Sequence, residues 1–206
     1  MAQFFSIHPD NPQKRLIHHA VDIINAGGVV AYPTDSSYAL GCAIGNKEAM
    51  KRIRRIRRVD DDHNFTLVCK DLSEVSTYAR VDNDTYRFLK RFTPGPYTFI
   101  LAATREVPRR LQHARRKTIG LRVPRYPIVE MLLTDLGEPI MSSTLIMPGE
   151  TLPMNDAGDI REALEHDIQL VIDGGPCEWQ PTTVVELMSG VPKVLRYGLG
   201  DVSSFS

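Results

Sequence analysis

The chain has 206 residues, 25 basic and 25 acidic side chains and 42% hydrophobic residues, enough for one domain spanning 1–206 with a sizeable core, and no apolar run long enough to cross a bilayer. The balanced charge hides a division: residues 1–129 carry 22 Lys/Arg against 12 Asp/Glu, whereas residues 130–206 carry 3 against 13. Three separated cysteines, Cys42, Cys69 and Cys177, together with an N-terminus lacking a basic region and an apolar run, set the expectation of a reduced, cytoplasmic protein without structural zinc and without a membrane partner.

Asn11-Pro12 reads as a cap followed by proline at the first helical position, and Leu16, Ile17, Ala20, Val21 and Ile24 form the buried stripe of the helix that Gly27-Gly28 ends. Val29 to Tyr32 is a buried strand, stopped by Pro33. Thr34, Asp35, Ser36, Ser37 and Tyr38 then offer five oxygen-bearing side chains in a row, expected to lie outside the core. Two readings stand: a ligand crevice beyond a strand end, or an ordinary hydroxyl-rich turn. Asn46 caps a helix whose Ala49, Ile53 and Ile56 face inward. Its arginines Arg52, Arg54, Arg55, Arg57 and Arg58 project from that helix either toward an anionic partner or as a solvated face paired with Asp60, Asp61 and Asp62.

A strand at 66–69 follows, then a helix from Asp82 or Asp84 to about Phe92, which Thr93-Pro94-Gly95-Pro96 breaks before a strand at 97–103. Thr98 on that strand faces core or cavity according to register. A second basic stretch, 105–117, holds Arg109, Arg110, Arg115 and Arg116. Thereafter come a strand at 119–123, a helix opened by Pro127 and running through Leu136, a strand at 140–143, a helix at 159–165, and strands near 170–172, 183–187 and 194–196. This interleaving predicts an α/β protein, a twisted open mixed sheet with flanking helices. The short Gly174 to Thr182 link is one of the connections that argue against purely parallel strands.

The chain has no G-x-S-x-G elbow, P-loop or metalloprotease helix. His18-His19 are neighbours on a helix and point in different directions, so no metal site is expected.

The segment Tyr32-Pro33-Thr34-Asp35-Ser36-Ser37-Tyr38-Ala39-Leu40-Gly41 resembles the Y-P-T-[DE]-T-x-Y-G-L-G signature of the YrdC-like threonylcarbamoyl-adenylate synthase family. The resemblance continues at Pro94-Gly95-Pro96-Tyr97-Thr98, Arg122-Val123-Pro124, Asp173-Gly174-Gly175, Thr182-Thr183-Val184-Val185-Glu186 and Arg196-Tyr197-Gly198, six ordered landmarks covering most of the chain, and is nearest to the YciO branch. It implies a YrdC-like fold with a concave, positively charged cavity, and ATP (with Mg2+), bicarbonate and L-threonine as substrates of a nucleotidyltransferase linked to tRNA threonylcarbamoyladenosine modification. It further implies Thr34, Ser36 and Tyr38 around the amino-acid pocket, Arg122 on phosphate, and Arg57, Ser142, Ser143, Thr144 and Arg196 in the same nucleotide site.

Departures from the synthases accompany the likeness. The family's K-x-R-P reads Arg57-Arg58-Val59-Asp60, so an arginine becomes a valine that binds no anion, and S-A-N-x-S-G is replaced by Ser142-Ser143-Thr144-Leu145-Ile146, without asparagine. Tyr126-Pro127 stands where the family has His-Pro. One lost charge-assisted hydrogen bond costs roughly 1.5–3 kcal/mol, about one to two decades in binding. The expectation is therefore a weak or divergent synthase that keeps its nucleotide site. The alternative is a non-catalytic duplex RNA or tRNA binder that uses Arg52, Arg54, Arg55, Arg58, Arg109, Arg110, Arg115 and Arg116 beside the same cavity. No interface, and hence no oligomeric state, is legible.

Overall fold

The structure, a computed structural model, describes residues 1–59, 65–113, 115–188 and 190–205. In chain order its elements are β1 (Gln3–Ser6), α1 (Lys14–Asn25), β2 (Val30–Tyr32), β3 (Ala39–Ala43), α2 (Lys47–Arg57), β4 (Thr66–Val68), α3 (Leu72–Tyr78), α4 (Asn83–Phe92) and β5 (Tyr97–Ala102). A 3-10 turn at Arg109–Leu111 leads to β6 (Thr118–Arg122), α5 (Pro127–Leu136), β7 (Ile140–Thr144), α6 (Ala157–Leu164), β8 (Leu170–Asp173), β9 (Thr183–Glu186) and β10 (Lys193–Arg196). All ten strands join one mixed sheet in the order β1-β8-β2-β3-β7-β4-β6-β5-β9-β10.

Helix starts follow local chemistry. Asn46, Asp71, Asp82 and Asp156 each accept a backbone N–H of the first turn through the side chain. The expected cap at Asn11 is not one: α1 begins at Lys14 behind Gln13, because the Nδ1 of His8 takes the N–H groups of Asp10 and Asn11 and folds them into a preceding turn.

Strand alternation divides the sheet into two unlike faces. On one, Leu40, Cys42, Leu67, Phe99, Leu101, Ile119, Leu121, Met141 and Val171 pack under residues of α2, α3, α4 and α6. On the other, Val30, Tyr32, Ala39, Val68, Ile140, Leu170 and Ile172 pack under α1 and α5. These two helices cover the β8-β2-β3 side of that face and reach Ile140 of β7 and Val68 of β4. Farther along it, the row Ser142, Thr66, Gly120 and Ile100 runs across paired strands without a helix above it.

Three elements escape sequence reading. β1 is four residues long and gains its ladder only from β8, more than 160 residues away. α3 is seven residues with one buried side chain, too short to show a stripe. β3 is five residues, Ala39–Ala43, with Gly41 at its centre, and the sequence reading names no strand there. Glycine stands there because a Cβ would sit 2.7 Å from both the Tyr32 ring and the Ile140 methyl. A second correction concerns the hydroxyl-rich loop, expected outside the core: Thr34, Ser36, Ser37 and Tyr38 are all buried. The loop bonds to itself, with the Thr34 Oγ1 donating to the Ser37 carbonyl (2.7 Å) and accepting the N–H groups of Ser36 and Ser37. The mixed sheet is as expected, but the 174–182 link does not join neighbours; it carries the chain from β8 to β9, which have six strands between them in the sheet.

The charge division does not survive folding as two poles. Arg55 pairs with Asp167 (3.0 Å), Arg116 with Glu186 (2.6 Å), and Arg52 donates to Gln169 (2.6 Å), so the basic segment is buttressed by the acidic one. Among the described residues no helix is long and apolar enough to cross a membrane.

The Oε1 of Gln169 also accepts the N–H of the fully buried Val29 at 2.8 Å. Gln169→Ala therefore orphans a buried donor and is expected to lower unfolding free energy by about 1–3 kcal/mol, measured by urea denaturation.

Candidate functional site

A cavity of about 270 Å3 opens on the uncovered half of the sheet. Its floor is small and polar because alternate residues of β6 are Thr118, Gly120 and Arg122, while Ile119 and Leu121 turn into the helix layer. The neighbouring strands supply Thr66, Thr98, Ser142 and Thr144. Phe65, Ile100, Leu111, Ile146, Val184 and Leu195 add apolar wall, and four guanidinium groups, of Arg57, Arg116, Arg122 and Arg196, face the space without a carboxylate among the described lining residues.

Each arginine is held differently. Arg122 is buried and ion-paired to Asp35, with both side chains at most 10% exposed, and its Nη2 also approaches the hydroxyls of Thr34 (3.4 Å) and Ser36 (3.3 Å). Its Nε is buried and has no hydrogen-bond partner among the described residues. Asp35 reaches on to the N–H of Arg125 (2.8 Å), so one carboxylate ties the loop to the end of β6. Arg57, in the last turn of α2, donates to the Ser143 hydroxyl (2.6 Å) and the Ile146 carbonyl (3.1 Å), both neutral. Arg196, exposed at the rim, donates to the Thr182 carbonyl (2.9 and 3.2 Å) and hydroxyl (3.2 Å). Burial lowers the pKa of Arg57, helped by the field of Arg196; partial desolvation of the guanidinium where it bonds Thr182 lowers that of Arg196, helped by Arg122, although the residue as a whole is exposed. Among the described residues neither Arg57 nor Arg196 has a carboxylate partner, an environment in which an anionic ligand is stabilised.

Two hydroxyl pairs complete the lining. Thr98 and Thr182 share a hydrogen bond of 2.8 Å, so Thr98 faces the cavity while Tyr97 and Phe99 face the helix layer. Tyr32, on the same sheet face under the helices, donates to Ser142 (2.8 Å), and burial pushes its phenol up to about 12, which keeps it protonated as a donor.

Of the residues singled out in the sequence, Arg57, Arg122, Ser142, Ser143, Thr144 and Arg196 line the cavity. Thr34 and Ser36 stand behind Arg122 rather than on the wall. Tyr38 turns away, its phenol donating to the Gly175 carbonyl (2.8 Å) within the opposite core. The helix arginines do not form one outward face: Arg52 and Arg55 brace the 167–169 loop, and Arg54 lies over the Phe65 ring at 5.1 Å. Arg58 is exposed at the left-handed helix end, and Asp60, Asp61 and Asp62 lie outside the described residues. Arg110 donates to the Gly45 carbonyl, Arg109 and Arg115 are exposed, and Arg116 reaches the cavity. His18 pairs with Asp135 (3.1 Å) and His19 meets the Phe5 ring edge-on, so the two imidazoles diverge; among the described residues no three His, Cys, Asp or Glu cluster as metal ligands. Register settles Thr98, left open between core and cavity, on the cavity side, whereas Thr66, Thr118 and Gly120 were not singled out in the sequence. The signal was there as small polar residues alternating with apolar ones in Thr118-Ile119-Gly120-Leu121-Arg122.

The family described as Sua5/yciO/yrdC, telomere recombination, matches residues 22–198. The chain belongs to the Sua5/YciO/YrdC family. It is 56% identical to YciO of Escherichia coli strain K12 over 205 residues, covering all of both chains, and the crystal structure of E. coli YciO superposes with a TM-score of 0.96 over the whole of each at 55% identity. More distant family members include the threonylcarbamoyl-AMP synthase of Coxiella burnetii strain RSA 493, 28% identical over 87% of this chain and 96% of that protein. Sua5 of P. abyssi, whose crystal structure was solved in complex with L-threonine, has a TM-score of 0.86 at 25% identity, covering 95% of this chain and 57% of that one.

Relative to the synthase motifs, the altered positions of this family member are structurally occupied. Leu145 is fully buried and its N–H donates to the Tyr38 carbonyl (3.0 Å); Tyr126 donates to the Gly174 carbonyl (3.1 Å).

Asp35→Asn leaves Arg122 buried without its counter-charge and is expected to cost about 3 kcal/mol of stability, with Asp35→Asn combined with Arg122→Met recovering part of the loss in urea titrations. Burial pushes the thiols of Cys177 and Cys42 up to about 11 and 12 and raises that of Cys69 as well. Because the thiolate is the nucleophile, alkylation of the native protein by iodoacetamide at pH 8 is expected to be well slower than that of a free thiol and to rise only as pH approaches 11.

Proposed function

We propose that the cavity binds an adenine nucleotide with its phosphates against Arg57, Arg122 and Arg196, and that the chain forms L-threonylcarbamoyladenylate from ATP, bicarbonate and L-threonine more slowly than the family's synthases. Supporting this reading is the convergence of four guanidinium groups on a hydroxyl-lined floor without carboxylates among the described lining residues, on the fold of this family. In adenylate formation the carboxylate of N-carboxythreonine attacks the α-phosphorus of ATP and pyrophosphate leaves. The chain's part is to align the reactants and to neutralise charge on the phosphate oxygens. Thr98, Thr182 and Ser142 supply hydroxyls for sugar, carbamate or amino-acid oxygens. Mg2+ belongs to the substrate here, entering as the counter-ion of the triphosphate, and the described lining residues include no carboxylate.

The reduced rate rests on Val59 and on Leu145-Ile146, which replace an arginine and the S-A-N region of the synthases and bring no ionic donor. Arg57, moreover, is already bonded to Ser143 and Ile146, so part of its capacity is taken. The product would serve tRNA threonylcarbamoyladenosine modification in the cytoplasm. A second reading, contact with duplex RNA or tRNA without catalysis, is favoured by Arg58, Arg109 and Arg115, exposed and without carboxylate partners among the described residues.

Calorimetric titration of ATP is expected to give one site per chain, weakened about ten- to a hundredfold by Arg57→Ala and by Arg196→Ala. Enzyme-rich incubation with ATP, bicarbonate and L-threonine is expected to yield the adenylate and pyrophosphate by mass spectrometry. Absence of product with ATP bound leaves a nucleotide-binding protein; absence of both rejects the cavity assignment.

A further inference from the structure

Two consecutive residues at the start of β9 hold different things on opposite sides of the sheet. Thr182 lines the cavity, bonds Thr98, and takes the Arg196 guanidinium on its carbonyl and hydroxyl. Thr183 is fully buried, pairs in register with Tyr97, and uses one hydroxyl twice: it accepts the Gly198 N–H (3.0 Å) and donates to the Gly200 carbonyl (2.7 Å). Neighbouring strand side chains point to opposite faces, so the guanidinium and the 198–200 segment grip one dipeptide from two sides.

The segment after Arg196 is tied down along its length. The Leu199 N–H meets the Pro181 carbonyl (3.0 Å), and the Tyr97 phenol donates to the Asp201 carbonyl (2.8 Å). A Cβ on Gly198 would collide with the backbone of Pro181 and Thr182, and one on Gly200 with the Tyr97 ring, so these glycines let the segment lie flat. Asp201 closes the next turn on the N–H and hydroxyl of Ser203 (2.9 and 2.7 Å). Phe205 then sits among the rings of Phe88, Phe92 and Tyr97, at centroid distances of 5.2, 4.7 and 6.1 Å. Residues 198–205 belong to no helix or strand, yet they form a strap from the cavity rim to α4.

β10 gives Arg196 little support of its own. The strand lies at the edge of the sheet, pairs only with β9, and shifts register between Val194 and Arg196. A four-residue edge strand with a broken ladder opens readily. We infer that the strap is a positioning device for Arg196, with Thr183 as its clamp and Phe205 as its anchor. It bonds Pro181 and Thr183, the residues on either side of Thr182, and so fixes the acceptor that holds the guanidinium at the cavity rim. Arg196 meets the ligand; Thr183 and Phe205 act through it. The value of that pose for ATP rests on the nucleotide reading of the cavity, whereas the positioning itself does not.

Hydrogen exchange of the Arg196 Nε–H, read by NMR and assigned by its loss in Arg196→Ala, is compared in the native protein, Thr183→Val, Phe205→Ala, and the conservative Thr183→Ser and Phe205→Leu. Thr183→Val and Phe205→Ala are expected to speed that exchange about threefold or more while leaving the Arg57 Nε–H unchanged. They are expected to weaken ATP about three- to tenfold by calorimetry, and Thr183→Ser and Phe205→Leu to stay near native. In an Arg196→Ala background neither strap variant weakens ATP further, a non-additivity that a merely structural role does not produce. Lower urea stability with native exchange at Arg196 overturns the inference, as do additive losses of ATP affinity or faster exchange with undiminished ATP binding. Faster exchange in a protein whose native form binds no ATP upholds the strap and rejects the cavity assignment, so the two failures are told apart. Phe205→Ala, at the far end of the strap on a partly buried ring, carries the test if Thr183→Val fails to fold.

Discussion

Arg122 and Asp35 are the contact on which the site depends. A guanidinium at the end of a central strand is taken almost wholly out of water, a placement that is tolerable only with a charged partner and good hydrogen bonds. Asp35 supplies the charge, and by also capturing the Arg125 N–H it fastens the 34–38 loop to the exit of β6. Thr34 then organises the loop backbone around its own hydroxyl. The loop most conspicuous in the sequence therefore works mainly as the mount for a cation, and that cation is what faces the cavity.

Around this mount, the cavity exists because helix cover is incomplete. α1 and α5 shield the β8-β2-β3 side of one sheet face, and their apolar stripes match Val30, Tyr32, Ala39 and Ile172. Where Thr66, Gly120 and Ser142 replace such residues there is nothing for a helix to bury against. The same substitution of small polar for large apolar side chains thus removes the lid and builds the floor. Buried hydroxyls alongside, such as Tyr32 on Ser142, hold the floor in one arrangement at low cost, since each has its partner.

Cations in this protein divide by what they bond. Arg52, Arg55 and Arg116 lean on Gln169, Asp167 and Glu186 and act partly as struts between the basic and acidic segments. Among the described residues Arg57 and Arg196 bond neutral oxygens only, and both feel the field of other arginines. The positions at which this chain differs from the synthases fall into the same scheme. Leu145 and Tyr126 are knitted into backbone contacts and contribute to the frame rather than to anion contact.

The sequence by itself determined the α/β class, the helices α1, α2, α4, α5 and α6 to within a few residues, most strands, and membership in a family whose motifs lie far apart along the chain. Periodicity and capping are local properties, so local residues reveal them. It also indicated Arg57, Arg122, Ser142 and Arg196, which tertiary folding brings onto one wall. Only the tertiary structure decided that Tyr38 faces the opposite core, that Arg52 and Arg55 brace a loop, and that Thr66, Thr118 and Gly120 form the floor. The reason is that a side chain's face depends on strand register, and register is set by pairing between segments such as β4 and β6, or β1 and β8, that lie tens to more than a hundred residues apart.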